Sequence, residues 1–125
     1  MAKVLGIGGV FFKAADPKAV NDWYARVLGF EISEWGGAVW PHPAGGQSTW
    51  SAFAATSDYF DPSTQPFMIN FIVDDLDGVL ARAKAEGADP VGEPIAGEYG
   101  RFGWLMDPAG VKIELWEPPA ADPAT

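Results

Sequence analysis

The chain has 125 residues, of which 17 are acidic and 8 are basic, so its formal net charge is −9 with the single histidine neutral. This length predicts one domain. The acidic balance argues against a nucleic-acid partner and against an anionic membrane surface, because both bind clustered Lys and Arg. The absence of cysteine excludes disulfides, thiolate metal sites and a cysteine nucleophile.

The start of the chain and its apolar segments predict where the protein works. The first residues lack the apolar region and small-residue cleavage site of a secretory signal. Nowhere does an apolar run approach the roughly 18 residues of a membrane span. We therefore expect a cytoplasmic protein with no membrane partner.

The first half begins with a strand-like stretch over residues 9–16 and continues into an amphipathic helix. Asp16 suits the N-cap, Pro17 the first helical position and Gly29 the left-handed residue beyond the end. The apolar residues between them recur at the spacing of one helical face: Val20, Trp23, Tyr24, Val27 and Leu28. Short β-like segments broken by Gly and Pro follow at 30–35, 38–42 and 48–54.

The second half has the same layout. A β-rich stretch ends at Asp75, and a helical face then runs to a closing glycine, Gly87. Further strands are predicted at 89–93, 102–106 and 111–116. Asp, Pro and Gly stand at the first, second and fourth positions of residues 107–110, which predicts a type I turn joining the last two strands as a hairpin.

These matching halves indicate an internal duplication. Asp16 and Asp75 are 59 positions apart, and Gly29 and Gly87 are 58 apart. The prediction is a single domain over residues 1–125, built from two βαβββ modules. The modules cover residues 4–55 and 67–117, with a linker over 56–66 and a loose tail over 118–125.

Two motifs carry a resemblance to a known family. The first is Trp23-Tyr24 through Val27-Leu28-Gly29-Phe30, and the second is Asp107-Pro108-Ala109-Gly110 through Ile113-Glu114-Leu115. With the paired modules, they resemble the vicinal oxygen chelate superfamily of glyoxalase I, bleomycin-resistance proteins and extradiol dioxygenases. The resemblance implies an α+β fold in which two βαβββ modules form a curved mixed sheet around a cleft, and it implies a homodimer.

Metal enzymes of that superfamily are similar in placing ligands at four strand positions. The matching positions here are Gly9, Met68, Glu114 and the strand near Ser51, of which only Glu114 offers a carboxylate. A lone carboxylate does not hold zinc, which takes three or four protein ligands. We therefore expect no cofactor and no metal, with a divalent metal held by other ligands as the alternative.

Glu114 is the candidate catalytic residue. Ile113 and Leu115 alternate with Lys112, Glu114 and Trp116, so the Glu114 carboxylate faces either a cleft or the solvent, where Lys112 would pair with it. A cleft-facing carboxylate would accept hydrogen bonds from a ligand or act as a general base.

The other candidate ligand-binding residues are mostly aromatic. Strand aromatics offer a stacking wall for a planar ligand, although core packing would explain them equally well. Asn70 is an amide in an apolar strand, and Tyr99 and Arg101 lie in a glycine-punctuated loop, where Arg101 would bind a carboxylate or pair with a surface acid. His42, between two prolines, is expected to be solvated. The complete set is Trp40, Trp50, Phe53, Met68, Asn70, Tyr99, Arg101, Phe102, Trp104 and Glu114.

Three functions remain open from the sequence. The first is a metal-independent protein that binds a small planar molecule, neutral or cationic, as the resemblance to the bleomycin-resistance branch implies. A second is a lyase, isomerase or dioxygenase of the glyoxalase type that acts on a small carbonyl compound, with Glu114 as metal ligand or base. The third is a regulatory or structural dimer whose cleft is filled by its own aromatic side chains.

Overall fold

The computed structural model describes residue 7, residues 9–42 and residues 47–119. Whatever the sequence predicts for residues 1–6, 8, 43–46 and 120–125 lies outside the described residues.

Both predicted helices are confirmed. Helix α1 is Pro17–Leu28; the Asp16 side chain accepts from Ala19 N over 3.1 Å, and Gly29 follows the helix with a φ of 73°. Helix α2 is Leu76–Ala85, and the Asp75 side chain accepts from Gly78 N in the same way. These caps satisfy backbone donors that a helix start otherwise leaves unpaired. Neither helix of the described ranges is long and apolar enough to cross a membrane.

The second half forms one four-stranded sheet. Its strands are β1 (Met68–Ile72), β2 (Ile95–Gly97), β3 (Gly100–Met106) and β4 (Lys112–Glu117). Their spatial order is β1-β4-β3-β2, with β1 parallel to β4 and the other pairs antiparallel. The order β1-α2-β2-β3-β4 along the chain is the predicted βαβββ unit, and the mixed open sheet with two helices confirms the predicted α+β class.

Side chains alternate between the two faces of this sheet. One face packs against the helices, and its buried residues are Ile69, Leu105, Ile113 and Leu115, which join Val27 of α1 and Leu76 of α2 in the core. The opposite face carries Asn70, Trp104, Lys112, Glu114 and Trp116. We call it the open face, because neither helix covers it.

The predicted turn at 107–110 is present and joins β3 to β4. Asp107 Oδ1 accepts from the backbone N of Ala109 and of Val111, each over 2.8 Å, and Asp107 Oδ2 accepts from Tyr24 Oη over 2.6 Å. The turn therefore also ties the sheet to α1.

The structure corrects the strand predictions of the first half. In the described part of residues 9–54, the segments at 9–16, 30–35, 38–42 and 48–54 do not form strands. A strand needs a neighbour for its backbone groups, and the described ladders pair only β1 to β4. Gly36 bends the chain between the segments at 30–35 and 38–42 with a φ of 94°.

The prediction of a strand at 89–93 is also corrected. Within this stretch only Pro90 pairs, in one bridge to Leu105, and the strand that pairs with β3 is β2, a few residues later. Pro90 has no N–H for a ladder, and the positive φ of Gly92 breaks the extended chain.

Candidate functional site

A polar row crosses three strands of the open face. Glu114 lies opposite Asn70 of β1 and opposite Trp104 of β3. Asn70 Nδ2 donates to Glu114 Oε1 over 2.8 Å, and Trp104 Nε1 donates to Glu114 Oε2 over 2.9 Å. Strand register alone thus places two donors on one carboxylate that is 8% exposed.

A third donor reaches Glu114 from outside the sheet. Tyr59 Oη donates to Glu114 Oε2, which already accepts from Trp104. The carboxylate has about four acceptor positions, so three protein donors occupy most of them. Glu114 therefore lies at the cleft with its orientation fixed by three protein donors.

Lys112 holds the segment that carries Tyr59. Its Nζ donates to the Tyr59 carbonyl oxygen over 2.7 Å and lies 5.2 Å from the centroid of the Tyr59 ring and 5.6 Å from that of Trp104. Both aromatic faces attract the ammonium. The ion pair between Lys112 and Glu114, which the sequence left open for a solvent-facing Glu114, is not among the ion pairs of the described residues.

Burial raises the pKa of Tyr59 to about 12, and the hydrogen bond to Glu114 adds to the shift. The neighbouring carboxylate disfavours a second negative charge. Tyr59 is therefore a protonated donor at neutral pH.

An aromatic pair extends the open face beyond the polar row. Phe102 and Trp116 lie opposite each other on β3 and β4, with ring centroids 6.3 Å apart and planes only 6° from parallel. Ile72 and Ile95 extend this row on the outer strands and are 37% and 58% exposed. A flat apolar wall, half-buried at its centre and exposed at its two edges, therefore lies next to the carboxylate.

Most of the predicted ligand-binding residues line one open cleft of about 2310 Å³. Those that line it are Trp40, Trp50, Phe53, Met68, Asn70, Tyr99, Phe102 and Glu114. Trp104 touches the site through Glu114. His42 also lines the cleft, and its side chain is exposed, as expected for a solvated histidine.

The predicted residues do not all meet at Glu114. Trp40 packs on Phe30 and Phe71 near the helix face of β1, whereas Trp50 is 84% exposed. Tyr99 contributes its carbonyl oxygen, which accepts from Trp116 Nε1 over 2.7 Å.

Arg101 lies on the other side of the sheet. Its Nη2 is 2.8 Å from Asp77 Oδ1 of α2, which is the surface ion pair that the sequence left as an alternative to binding a ligand. Both side chains are solvated, so the pair contributes little to stability.

The donor set does not fit the divalent metal that the family resemblance implies. Glu114 is committed to three protein donors, Gly9 has no side chain, and the thioether of Met68 prefers soft metals. The part of the chain that the structure describes has no cluster of three His, Cys, Asp or Glu side chains able to hold a metal ion.

Two site residues were not predicted from the sequence. Tyr59 lies in the predicted linker at 56–66, where no periodic pattern marks it. Lys112 shares the strand alternation of Glu114, so its face was predictable, but its bond to Tyr59 was not.

The family model described as a glyoxalase-like domain matches residues 9–116. No curated protein sequence matches the chain.

Several solved structures share the fold at low identity. TnmS3, an antibiotic-binding protein from Streptomyces sp. CB03234, is 22% identical with a TM-score of 0.53, over 85% of this chain and 89% of its own. TioX from Micromonospora sp. ML1 is 23% identical with a TM-score of 0.52, over 86% of this chain and 91% of its own. A glyoxylase/bleomycin resistance protein/dioxygenase domain from Frankia sp. EAN1pec is 15% identical with a TM-score of 0.63, over 94% of this chain and 100% of its own.

Proposed function

Because the chain belongs to the glyoxalase-like domain family, we propose that it binds a small planar organic molecule on its open face without using the metal of the family's enzymes. One observation carries this proposal. The Glu114 carboxylate is held by three protein donors directly beside a half-buried aromatic pair that lines the cleft, Phe102 and Trp116. A fixed acceptor beside an apolar wall is a typical arrangement for orienting a ligand.

The shape and charge of the site favour a flat, cationic ligand. Stacked or edge-to-face contacts with Trp116 and Phe102 favour a ligand with an aromatic ring system. The net charge of −9 attracts cations from solution. Glu114 supplies a negative end point for a positive group.

One structural neighbour supports binding as the function. TnmS3 is named as an antibiotic-binding protein. This chain shares its fold, so a cleft on this fold is compatible with holding an organic molecule.

Catalysis on a small carbonyl compound is the competing function. It would use Glu114 as a proton acceptor at the cleft wall. The three donors oppose this role because they occupy most of the carboxylate's acceptor positions, whereas a base must expose a lone pair to the substrate. If the protein is an enzyme, Glu114→Gln abolishes turnover; if it is a binding protein, no turnover of such a compound is measurable.

We also propose that the protein forms a homodimer through the first half. Large apolar side chains are uncovered there, including Phe11 at 91% and Val39 at 79% exposure. The open cleft exceeds the roughly 300–1,000 Å³ of a typical small-molecule site, so a small ligand does not fill it. Sedimentation equilibrium of the full chain tests this: a single monomeric species at micromolar concentration contradicts the dimer.

Calorimetric titration tests the binding function. The probes are N-methylacridinium, a planar cation, and anthracene sulfonate, a planar anion. We expect the cation to bind more tightly than the anion. Trp116→Leu should weaken binding of the cation at least about fivefold, because it removes an aromatic contact of roughly 1 kcal/mol. Trp23→Leu is the matched control, because Trp23 lies on α1 and packs against Tyr24. The proposal fails if neither probe produces heat of binding, or if the two variants weaken binding of the cation equally.

A further inference from the structure

Tyr59 differs from the other two donors of Glu114 in how it is held. Asn70 and Trp104 sit on strands whose register fixes them opposite Glu114. Tyr59 lies on an irregular segment, residues 57–66, that is held by individual hydrogen bonds and not by a strand ladder. The Tyr59 hydroxyl can therefore leave Glu114 without movement of any strand.

Three hydrogen bonds attach this Tyr59 segment to β4 and to the turn that precedes it. Tyr59 Oη donates to Glu114, Lys112 Nζ donates to the Tyr59 carbonyl oxygen, and Ser63 Oγ donates to the Gly110 carbonyl oxygen. Only the first of these uses the carboxylate. The segment can therefore release Glu114 by rotating one side chain while the other two attachments persist.

The Tyr59 ring occupies an aromatic slot at the edge of the cleft. Its centroid is 6.4 Å from that of Trp104, nearly perpendicular to it, and 5.6 Å from that of Phe53. The side of the ring remains accessible, since Tyr59 is 39% exposed. Tyr59 thus places a planar ring at the edge of the cleft, with its one hydroxyl donor on the Glu114 carboxylate.

We propose that the Tyr59 hydroxyl occupies the position on Glu114 Oε2 that a donor group of the ligand takes in the complex, so that Tyr59 determines specificity for planar molecules bearing an N–H or O–H donor. This inference rests on the proposed binding function and adds the ligand's donor group to it. A ligand without a donor cannot replace this bond, so it leaves Tyr59 on Glu114 Oε2. Because an N–H donor on a cation binds a carboxylate more strongly than a neutral phenol does, a protonated amine replaces Tyr59 with a net gain.

The test compares two planar cations in calorimetric titrations of the full chain. Protonated aminoacridine carries N–H donors, whereas N-methylacridinium has the same ring system and charge without one. Tyr59→Phe removes the competing hydroxyl and keeps the ring. We expect this variant to bind aminoacridine about tenfold more tightly, the value of one hydrogen bond to a charged group. Its affinity for N-methylacridinium should stay within about twofold of the unmodified protein's, since no donor competes there.

Ser63→Ala is the matched control. It detaches the same segment from Gly110 but leaves Tyr59 on Glu114, so it should not favour aminoacridine over N-methylacridinium. If Ser63→Ala and Tyr59→Phe increase the preference for aminoacridine over N-methylacridinium equally, loosening of the segment is sufficient to explain that preference. This result would overturn the proposed exchange of donors at Glu114.

The remaining outcomes separate the two proposals. If Tyr59→Phe changes the affinity for both cations equally, the exchange is wrong and the binding function stands. If the unmodified protein and Tyr59→Phe bind neither cation, the binding function itself is wrong. Glu114→Gln gives an independent measurement if Tyr59→Phe fails to fold. In Glu114→Gln, the affinities for aminoacridine and N-methylacridinium should lie within about twofold of each other. A larger preference for aminoacridine in this variant overturns the proposal.

Discussion

Asn70 and Glu114 are register partners on the parallel strands β1 and β4, and Asn70 Nδ2 donates to Glu114 Oε1 over 2.8 Å. Residues 44 positions apart are thereby joined by the pairing of the first and last strands of one βαβββ unit. The amide, which the sequence marked only as an unusual residue in an apolar strand, supplies a donor to the candidate site.

Asn70→Ala should destabilise the protein and disturb the site. It leaves Glu114 Oε1 without its donor, and a hydrogen bond to a charged group is worth about 1.5–3 kcal/mol. Because Asn70 is exposed, water replaces part of the lost bond, and we expect about 1 kcal/mol in urea unfolding. Asn21→Ala is the control, since its amide reaches only the Gly36 carbonyl oxygen over 3.3 Å at the surface. Equal losses in the two variants would contradict a special role for Asn70.

Tyr24→Phe should be more costly, because its partner is buried. Tyr24 Oη donates to Asp107 Oδ2 over 2.6 Å, and Asp107 is 6% exposed. Removing the donor leaves a buried carboxylate oxygen unpaired, at a cost of about 1–3 kcal/mol. Tyr99→Phe serves as the comparison, because the Tyr99 side chain is 70% exposed. Chemical unfolding of both variants measures the difference, and an unchanged midpoint for Tyr24→Phe would contradict the prediction.

Stability should fall in strongly alkaline solution. Burial, with the hydrogen bond to Asp107, raises the pKa of Tyr24 well above its ordinary value of 10.0, and the pKa of Tyr59 is raised to about 12. The folded protein therefore holds these protons more tightly than the unfolded chain. Their contribution is complete below pH 10 and is lost as the pH rises, for Tyr59 between about pH 10 and pH 12.

Urea unfolding between about pH 8 and pH 11 measures this loss. The decline should be shallower in Tyr24→Phe, which lacks one of the two shifted groups. A free energy of unfolding that rises with pH over this interval would contradict the prediction.

Gly100→Ala should disrupt the hairpin of β2 and β3. Gly100 has a φ of 110°, and an added Cβ would overlap the Glu117 carbonyl oxygen, which is backbone and cannot rotate away. Gly87 has a φ of 86° and open space around the same position. Gly87→Ala should therefore cost about 1 kcal/mol for the left-handed conformation alone, and Gly100→Ala at least about 2 kcal/mol. Thermal unfolding compares them, and equal effects would exclude the backbone overlap.

Arg101→Gln should leave binding of the planar cations unchanged. Arg101 pairs with Asp77 on the helix side of the sheet, away from Glu114. The variant should also show little change in unfolding, since solvated ion pairs contribute little. A clear loss of affinity in calorimetry would place Arg101 in the site after all.

Local patterns in the sequence determined the helices and the last hairpin. Asp16 and Gly29 mark the two ends of α1 because an N-cap acceptor and a left-handed C-terminal residue act over neighbouring positions. Asp107 and Gly110 define the turn between β3 and β4 for the same reason. Alternation along β4 also placed Glu114 and Lys112 on one face, since side chains on a strand repeat every second residue.

Only the tertiary structure decided which groups meet at that face. Tyr59 lies in a segment with no periodic pattern, and 55 positions separate it from the carboxylate that it binds. Contacts at such separations depend on how the chain returns to the sheet, which no local pattern records. The same reason explains why the strands predicted in the first half did not form: their apolar spacing was local, but a strand also needs a neighbouring backbone to pair with.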